Sequence, residues 1–143
     1  MNIKVVNQGK DISRVIINDP KTYNSLSTKN LLDLIKVFKK LDNDKKVKVI
    51  ILEGAGKGFS AGHNLKEVRG LKKKEKYQKL FSLCSKLMLQ IIEGRKPVIA
   101  KVHGAAYAAG CQLVASCDLA YSTKDALFAT PGVNIGLFCS TPM

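Results

Sequence analysis

The chain has 143 residues, enough for about one domain with a buried core, and its hydrophobic fraction of 45% argues against a disordered protein. Its 24 Lys and Arg residues outnumber its 11 Asp and Glu residues, and the net charge of +13 indicates either an anionic partner or a solvated lysine-rich surface. No segment is long enough to span a bilayer, and the N-terminus resembles neither a signal nor a transit peptide, so we expect a cytoplasmic protein without a membrane partner.

The first half of the chain predicts two strands with a helix between them. Residues 12–18 and 47–53 are short, β-branched runs that are typical of buried strands. Ser27 is the expected N-cap of the intervening helix. The apolar side chains of this helix recur at helical spacing and predict its core face: Leu31, Leu34, Ile35, Phe38 and Leu41.

The second half continues this alternation with a long helix over residues 74–93, a strand over 98–103 after Pro97, a short helix near Gly110 and a strand over 118–121. One side of the long helix is predicted to carry Tyr77, Phe81, Cys84 and Met88. Strands joined by helical crossovers predict an α/β fold with a largely parallel sheet. In such folds, ligands bind beyond the carboxyl ends of the strands.

The spacing of the cysteines predicts neither a metal site nor a disulfide framework. The chain has no CxxC pair and only two histidines that could join cysteines as ligands. We therefore expect no bound metal, and free, mostly buried thiols at Cys84, Cys111, Cys117 and Cys139.

A glycine-rich segment, EGAGKGFSAGHNLKEV, occupies residues 53–68 directly after the second predicted strand. It is too rich in glycine to be a simple connection. It is not a Walker A loop, because Ile51 stands where that motif requires its first glycine, and Gly58 rather than Ser or Thr follows Lys57. The glycine spacing does not match the dinucleotide-binding fingerprint either.

A second loop of small residues, GAAYAAG over residues 104–110, joins the strand over 98–103 to the short helix. Small residues let the backbone approach a ligand closely. The N–H groups and the dipole at a helix start favour negative charge. The two loops together predict a site for a ligand with an anionic group.

Four motifs in the same order resemble those of the enoyl-CoA hydratase/isomerase, or crotonase, family: GFSAGHNLKEV, the small-residue loop with its helix, SCDLA and FATPGVNIG. The resemblance covers nearly the whole chain. It implies a crotonase-like spiral of ββα units, with residues 1–143 as the N-terminal portion of an acyl-CoA-binding core that lacks the family's C-terminal helical region. It also implies coenzyme A as part of a thioester substrate, no prosthetic group, and a homotrimer or hexamer at full length.

The same resemblance implies that the thioester oxygen accepts hydrogen bonds from the backbone N–H groups of His63 and Ala109. Such donors stabilise the negative charge of an enolate. Many relatives have glycine at the position of Ala109, but alanine also supplies an N–H. His63, Asn64, Leu65 and Lys66 match the coenzyme A binding segment, in which the Lys66 ammonium can meet a phosphate.

Other side chains near these motifs leave alternatives open. The backbone amide of His63 is favoured over its imidazole, although relatives that decarboxylate malonyl-type thioesters also carry histidine there. His103 and Asp118 are expected to be structural. Tyr107 is either a proton donor or an aromatic wall. The lysine-rich run over residues 72–76 either attracts a phosphate or is solvated helix surface.

The two glutamates that the family's hydratases use for acid–base chemistry match Gln112 and Gly132. An amide orients water but does not exchange a proton near neutral pH, and glycine has no side chain. Acid–base catalysis commonly contributes about 10² to 10⁴-fold in rate, so two-glutamate hydration is not expected. Gln112 is predicted to hold a water molecule or a substrate group, and decarboxylation or isomerisation is favoured over hydration.

Three functions remain open: an acyl-CoA lyase or isomerase, a non-catalytic acyl-CoA-binding protein, and an RNA-binding relative. RNA binding is the least favoured, because the aromatic and basic interleaving of an RNA module is absent from the sequence. The family's C-terminal helices cover the sheet and form the trimer. The 143 residues alone are therefore expected to be poorly soluble or to associate through exposed apolar surface.

Overall fold

A five-stranded sheet forms the main layer of the molecule in a computed structural model that describes residues 2–136. Its strands are β1 (Ile3–Gln8), β2 (Ile12–Ile17), β3 (Val49–Gly54), β4 (Val98–Val102) and β6 (Leu119–Ser122). The strand order is β1-β2-β3-β4-β6; β1 pairs antiparallel with β2, and all other neighbours are parallel. The four predicted strands and the largely parallel sheet are confirmed, and the hairpin strand β1 is an addition.

Two very short strands, β5 (Ala105–Tyr107) and β7 (Leu127–Ala129), pair in parallel as a second small sheet. An isolated bridge between Ser60 and Ala106 extends this pairing into the glycine-rich segment. The sequence does not predict these strands, because three residues are too few to display the alternation of a half-buried strand.

Residues 2–136 also form four α-helices: α1 (Thr28–Asn43), α2 (Leu65–Gly70), α3 (Lys74–Ile92) and α4 (Ala109–Ala115). Ser27 caps α1, because its side-chain oxygen accepts a hydrogen bond from the Asn30 backbone N–H at 3.2 Å. The predicted core face of α1 is confirmed. Ile35 is half-buried, and the other four predicted side chains are buried: Leu31, Leu34, Phe38 and Leu41. No helix among the described residues is long and apolar enough to cross a membrane.

Helix α3 confirms the helix predicted over residues 74–93. Its buried stripe is Leu80, Cys84, Leu87, Met88 and Ile91. Of the four side chains predicted to share one side, Cys84 and Met88 belong to this stripe, whereas Tyr77 is half-buried and Phe81 is 47% exposed. The aliphatic side chains at 80, 87 and 91 complete a continuous stripe with Cys84 and Met88, and the two aromatic rings fall beside that stripe.

The hydrophobic core lies on the face of the sheet that α1 covers, and α1 in turn packs against α3. Alternate residues of the central strands point into this core, for example Val15, Ile50, Leu52 and Ala100. On the opposite face, the buried carboxylate of Glu53 forms ion pairs with Arg14 and Lys101 of the neighbouring strands.

Candidate functional site

The glycine-rich segment after β3 is held in place by the buried side chain of Asn24. Its Nδ2 donates hydrogen bonds to the backbone oxygens of Ala55, at 2.7 Å, and Gly58, at 2.8 Å. Its Oδ1 accepts a hydrogen bond from the Asp19 N–H at 2.9 Å. All polar atoms of this fully buried amide group therefore serve to fix the path of the loop.

The two predicted loops lie directly against each other. Ser60 donates its N–H to Ala105 at 3.1 Å and accepts the Tyr107 N–H through its carbonyl oxygen at 2.9 Å. A Cβ at Gly110 would overlap that same Ser60 carbonyl oxygen, so only glycine fits at the start of α4. The structure thus brings together the two segments that the sequence singled out.

His63 and Ala109 lie beside a second close contact between the loops, at Gly62. Gly62 has a φ of +84°, and a Cβ placed on it would lie 3.0 Å from the Ala109 nitrogen. Within residues 2–136, the backbone N–H groups of His63 and Ala109 find no protein acceptor. Two backbone donors beside this contact are therefore unpaired within the described residues.

Ala108, one residue before this donor, adopts a backbone conformation that is unusual for a residue with a Cβ. Its φ of 48° and ψ of −121° lie in a region that favours glycine. Its N–H donates to Ala129 of β7 at 2.8 Å, and its carbonyl oxygen accepts the Gln112 N–H at 3.0 Å. These two hydrogen bonds thus keep Ala108 in a strained conformation that costs roughly 1–3 kcal/mol.

The imidazole of His63 lies between Leu26, which precedes α1, and Phe81 of α3. Its Nδ1 lies 3.3 Å from the Leu26 carbonyl oxygen, and its ring meets Phe81 edge-on, with 5.2 Å between ring centroids. A carbonyl oxygen only accepts, so Nδ1 carries the proton and Nε2 keeps its lone pair. Burial lowers the pKa of His63, outweighing the opposite effects of the Leu26 hydrogen bond and the nearby Glu67 charge.

Residues 64–66 begin the short helix α2. Asn64 is its N-cap, because its Oδ1 accepts the N–H groups of Lys66 and Glu67, each at 3.1 Å. Leu65 and Lys66 are exposed. The Glu67 carboxylate accepts the Thr28 N–H at 3.0 Å and so joins the starts of α1 and α2. The sequence analysis does not predict this N-cap, although Asn followed three residues later by Glu is a capping signal.

Gln112 and Gly132 occupy the two positions that match the glutamates of the family's hydratases. Gln112 is half-buried in the first turn of α4, and its side-chain amide has no hydrogen-bond partner in the described part of the chain. Gly132 is buried in a 3₁₀ turn, Pro131–Ile135, that follows β7. Among the aligned positions, no carboxylate side chain is available for proton transfer.

The side chains of His103 and Asp118 bond to backbone atoms, which supports the structural roles predicted for them. The Nε2 atom of His103 lies 2.8 Å from the Gly56 carbonyl oxygen, and the Asp118 carboxylate accepts the Val98 N–H at 2.7 Å. Tyr107 is half-buried in β5. Its alternatives as proton donor or aromatic wall stay predictions.

Two of the cysteine thiols are inert at neutral pH. Burial raises the pKa of Cys84 to about 11, and burial together with the Asp118 charge raises the pKa of Cys117 to about 12. Cys111 is half-buried, and Cys139 lies outside the described residues. Residues 2–136 contain no group of three or more side chains suited to holding a metal ion.

Comparison with known proteins places these loops in a family. A model described as enoyl-CoA hydratase/isomerase matches residues 7–142. Enoyl-CoA hydratase domain-containing protein 3 of Xenopus laevis is 46% identical over 140 residues, which cover 98% of this chain and 48% of that protein. The human protein of the same name is 45% identical over 131 residues, covering 92% of this chain and 43% of that protein.

Among solved structures, an enoyl-CoA hydratase from Mycobacterium smegmatis superimposes with a TM-score of 0.96 at 46% identity, covering 99% of this chain and 55% of that one. The family resemblance and the crotonase-like α/β fold are thereby confirmed, and the two curated relatives carry the name enoyl-CoA hydratase domain-containing protein 3. The chain spans about half the length of these relatives.

The predicted cytoplasmic location is wrong. The relatives from Xenopus laevis, Danio rerio and Homo sapiens are named as mitochondrial proteins. The prediction depended on the composition of the first residues and on the lack of a segment long enough to span a bilayer. A targeting segment is removed from the mature protein and is not part of the folded unit, so the sequence of that unit does not report the compartment.

Proposed function

The chain belongs to the enoyl-CoA hydratase/isomerase family, and we propose that it binds an acyl-CoA thioester through the backbone N–H groups of His63 and Ala109. The observation that supports this most is that both donors lack a protein acceptor in residues 2–136 and follow the contact between Gly62 and the second loop. By analogy with the named relatives, we place this activity in mitochondria.

The two donors suit a reaction in which charge develops on the thioester oxygen. When a bond to the α-carbon breaks and leaves its electrons behind, the thioester becomes an enolate with negative charge on that oxygen. Donors already aimed at the oxygen stabilise this state, and removing one typically costs about 2.7–4 kcal/mol. His63, Asn64, Leu65 and Lys66 form the proposed coenzyme A segment, in which the exposed Lys66 ammonium meets a phosphate as a point charge.

The reaction we favour is decarboxylation or isomerisation rather than hydration. Hydration by the two-glutamate route needs carboxylates that deliver protons near neutral pH, and this chain has Gln112 and Gly132 at those positions. Decarboxylation forms the enolate by loss of CO₂ and needs no base to start it. In this scheme the half-buried Gln112 amide orients a water molecule or a substrate group.

The absence of both carboxylates also supports a second candidate, a protein that binds acyl-CoA without turnover. The two candidates share the thioester site and differ only in chemistry. Assays with malonyl-CoA, methylmalonyl-CoA and enoyl-CoA thioesters separate them: a decarboxylase releases CO₂ from the first two, an isomerase moves the double bond of the third, and a binding protein does neither. A trimer or hexamer is the assembly we expect for the full-length protein.

Calorimetric titration with acetyl-CoA and with its thioether analogue, S-ethyl-CoA, tests the proposed donors. The analogue keeps the coenzyme and lacks only the carbonyl oxygen. Loss of two hydrogen bonds predicts a Kd about 5- to 30-fold higher for the thioether.

The variant Lys66→Gln is the matched control for this experiment. Because Lys66 is proposed to contact the phosphates, this variant should weaken both ligands by the same factor and leave their ratio unchanged. Equal affinity of the unmodified chain for the ester and the thioether would refute the role of the two N–H groups.

A further inference from the structure

The peptide between Gly62 and His63, which carries the first proposed donor, is held by its carbonyl oxygen. That oxygen accepts the Leu26 N–H at 2.8 Å. The peptide is trans, and the C=O and N–H of a trans peptide point in opposite directions. The hydrogen bond from Leu26 to the carbonyl oxygen therefore also sets the direction of the His63 N–H.

The second donor peptide, between residues 108 and 109, is held within its own helix. Its carbonyl oxygen accepts the Gln112 N–H of α4 at 3.0 Å. The first donor peptide depends instead on a segment that lies far away in the sequence. Gly62 precedes it with a φ of +84°, and a residue without a Cβ lets the following peptide rotate easily. The direction of the His63 N–H is therefore kept only while Leu26 stays in place.

Leu26 is connected to α2 by contacts on both sides of the donor peptide. Its side chain is fully buried in the core, and its carbonyl oxygen accepts the Nδ1–H of the His63 ring at 3.3 Å. Beyond Leu26, the Thr28 N–H donates to the Glu67 carboxylate at 3.0 Å. Since Glu67 belongs to α2, which begins just after His63, these bonds attach the chain before and after the donor to the same segment.

The start of α1 favours a carboxylate at this place. The first N–H groups of an α-helix have no acceptor inside the helix, and the helix dipole attracts negative charge there. Thr28 is the first residue of α1, and Glu67 is half-buried beside it. The Glu67 side chain thus supplies an acceptor that the helix itself lacks, and it fixes α2 to the start of α1.

We propose that Glu67 is a positioning residue of the thioester site, a role that rests on the proposed function of that site. Its bond to the start of α1 keeps the donor peptide against Leu26, so that the His63 N–H stays directed at the thioester oxygen. Glu67 does not itself contact the thioester in this scheme. Without its carboxylate, α2 is released from α1 and the peptide after Gly62 is free to rotate.

The ratio of the Kd values of S-ethyl-CoA and acetyl-CoA tests this role in the 143-residue chain. The ratio reports hydrogen bonds to the carbonyl oxygen, because contacts with the coenzyme cancel. In Glu67→Ala, we expect it to fall by about 2- to 5-fold, since one of two donors loses its direction. The Kd of free coenzyme A should change by less than about twofold. General misfolding would instead weaken all three ligands together.

Two matched variants separate the hydrogen bond from the charge. Glu67→Gln should restore the ratio of the unmodified chain, because its side-chain oxygen still accepts the Thr28 N–H. Glu75→Ala should leave the ratio unchanged. Glu75 is exposed in the first turn of α3, and its carboxylate has no hydrogen bond or ion pair within residues 2–136. Far-UV circular dichroism checks that each variant is folded.

The chemical shifts of the backbone amide protons give a second readout, which resolves the two donors. On addition of acetyl-CoA to the unmodified chain, the amide protons of His63 and Ala109 should both move downfield, because an N–H that donates to oxygen is deshielded. In Glu67→Ala, the change at His63 should shrink, whereas the change at Ala109 should persist.

Three outcomes overturn the proposal in distinguishable ways. An equal ratio in the unmodified chain and in Glu67→Ala removes the role of Glu67 and leaves the thioester site standing. A ratio that falls as far in Glu67→Gln as in Glu67→Ala assigns the effect to the lost charge rather than to the hydrogen bond. Equal affinity of the unmodified chain for acetyl-CoA and S-ethyl-CoA removes the proposed function and the positioning role together.

Discussion

His63 combines two features. Its backbone N–H has no protein acceptor within the described residues, and its imidazole is packed against other side chains. The ring donates through Nδ1 to Leu26 and touches Phe81, so the segment before α1 and helix α3 fix its position. Burial lowers its pKa below 6.5, and the ring is neutral at physiological pH. A neutral ring beside the proposed carbonyl site leaves the enolate charge to the backbone donors.

This lowered pKa makes the stability of the chain depend on pH. Between the folded pKa and the unfolded value of 6.5, the unfolded chain binds a proton on His63 that the folded chain does not. The stabilisation is therefore complete above pH 6.5 and is lost as pH falls through the folded pKa. Urea unfolding at about pH 7.5 and about pH 5.5 should show a larger loss of unfolding free energy for the unmodified chain than for His63→Gln. An equal loss of unfolding free energy in the unmodified chain and in His63→Gln would show that His63 does not cause the pH dependence.

Ala108 shows what the sequence does not reveal at this scale. Alanine gives no local signal for a φ of 48°, and the conformation is imposed by Ala129 on one side and by the first turn of α4 on the other. The sequence resemblance located the donor at Ala109. The strained residue that precedes this donor follows only from tertiary contacts.

At the scale of elements, the site depends on loops that brace each other rather than on any single helix or strand. Asn24 holds the glycine-rich segment from one side, and the second loop bonds to Ser60 from the other. Ser27 shows that local rules suffice for regular elements, because its capping pattern and the apolar spacing after it predicted α1 correctly. Asn24 acts across more than thirty residues, and no local pattern marks it.

Replacing Asn24 by alanine should destabilise the fold by about 2–4 kcal/mol, because two buried carbonyl oxygens lose their donors. Chemical denaturation measures this change. Asn24→Gly is the matched control, since it removes the same hydrogen bonds but tolerates the φ of 55° at this position. We expect the glycine variant to be nearly as unstable. A loss below about 0.5 kcal/mol in both would mean that the loop holds itself in place.

Helix α3 illustrates a second limit of prediction by pattern. The spacing predicts the helix and four side chains that share one side, but only Cys84 and Met88 of these four are buried. Periodicity fixes which residues share a face. It does not fix which of two adjacent faces a neighbouring helix will cover. In this chain, aliphatic side chains complete the buried stripe, and Phe81 stays partly exposed beside His63.

At the scale of the whole molecule, apolar side chains are exposed along β6, β7 and the 3₁₀ turn that follows. Exposure reaches 68% for Tyr121, 58% for Leu127 and 71% for Val133. Neighbouring exposed apolar residues in one region are typical of a surface that contacts another protein segment or another chain. The net charge of +13 opposes association at low ionic strength, so salt should strengthen it.

We expect the 143-residue chain to self-associate through this region. Sedimentation velocity at increasing protein concentration should show species larger than a monomer, and the double variant Leu127→Lys, Val133→Lys should shift the distribution toward monomer. Leu32→Lys is the control, because Leu32 is exposed on α1, away from these strands. A monomer that unfolds cooperatively in calorimetry would contradict this expectation.

Any side chain at position 110 would overlap the Ser60 carbonyl oxygen. This overlap limits which residues of the site can be substituted. Gly110 cannot be replaced by a larger residue without moving one loop away from the other. Gln112, two positions further along the same helix, meets no such constraint. Substitution at position 112 can therefore change the side chain at this place while the backbone contact between the two loops stays as it is.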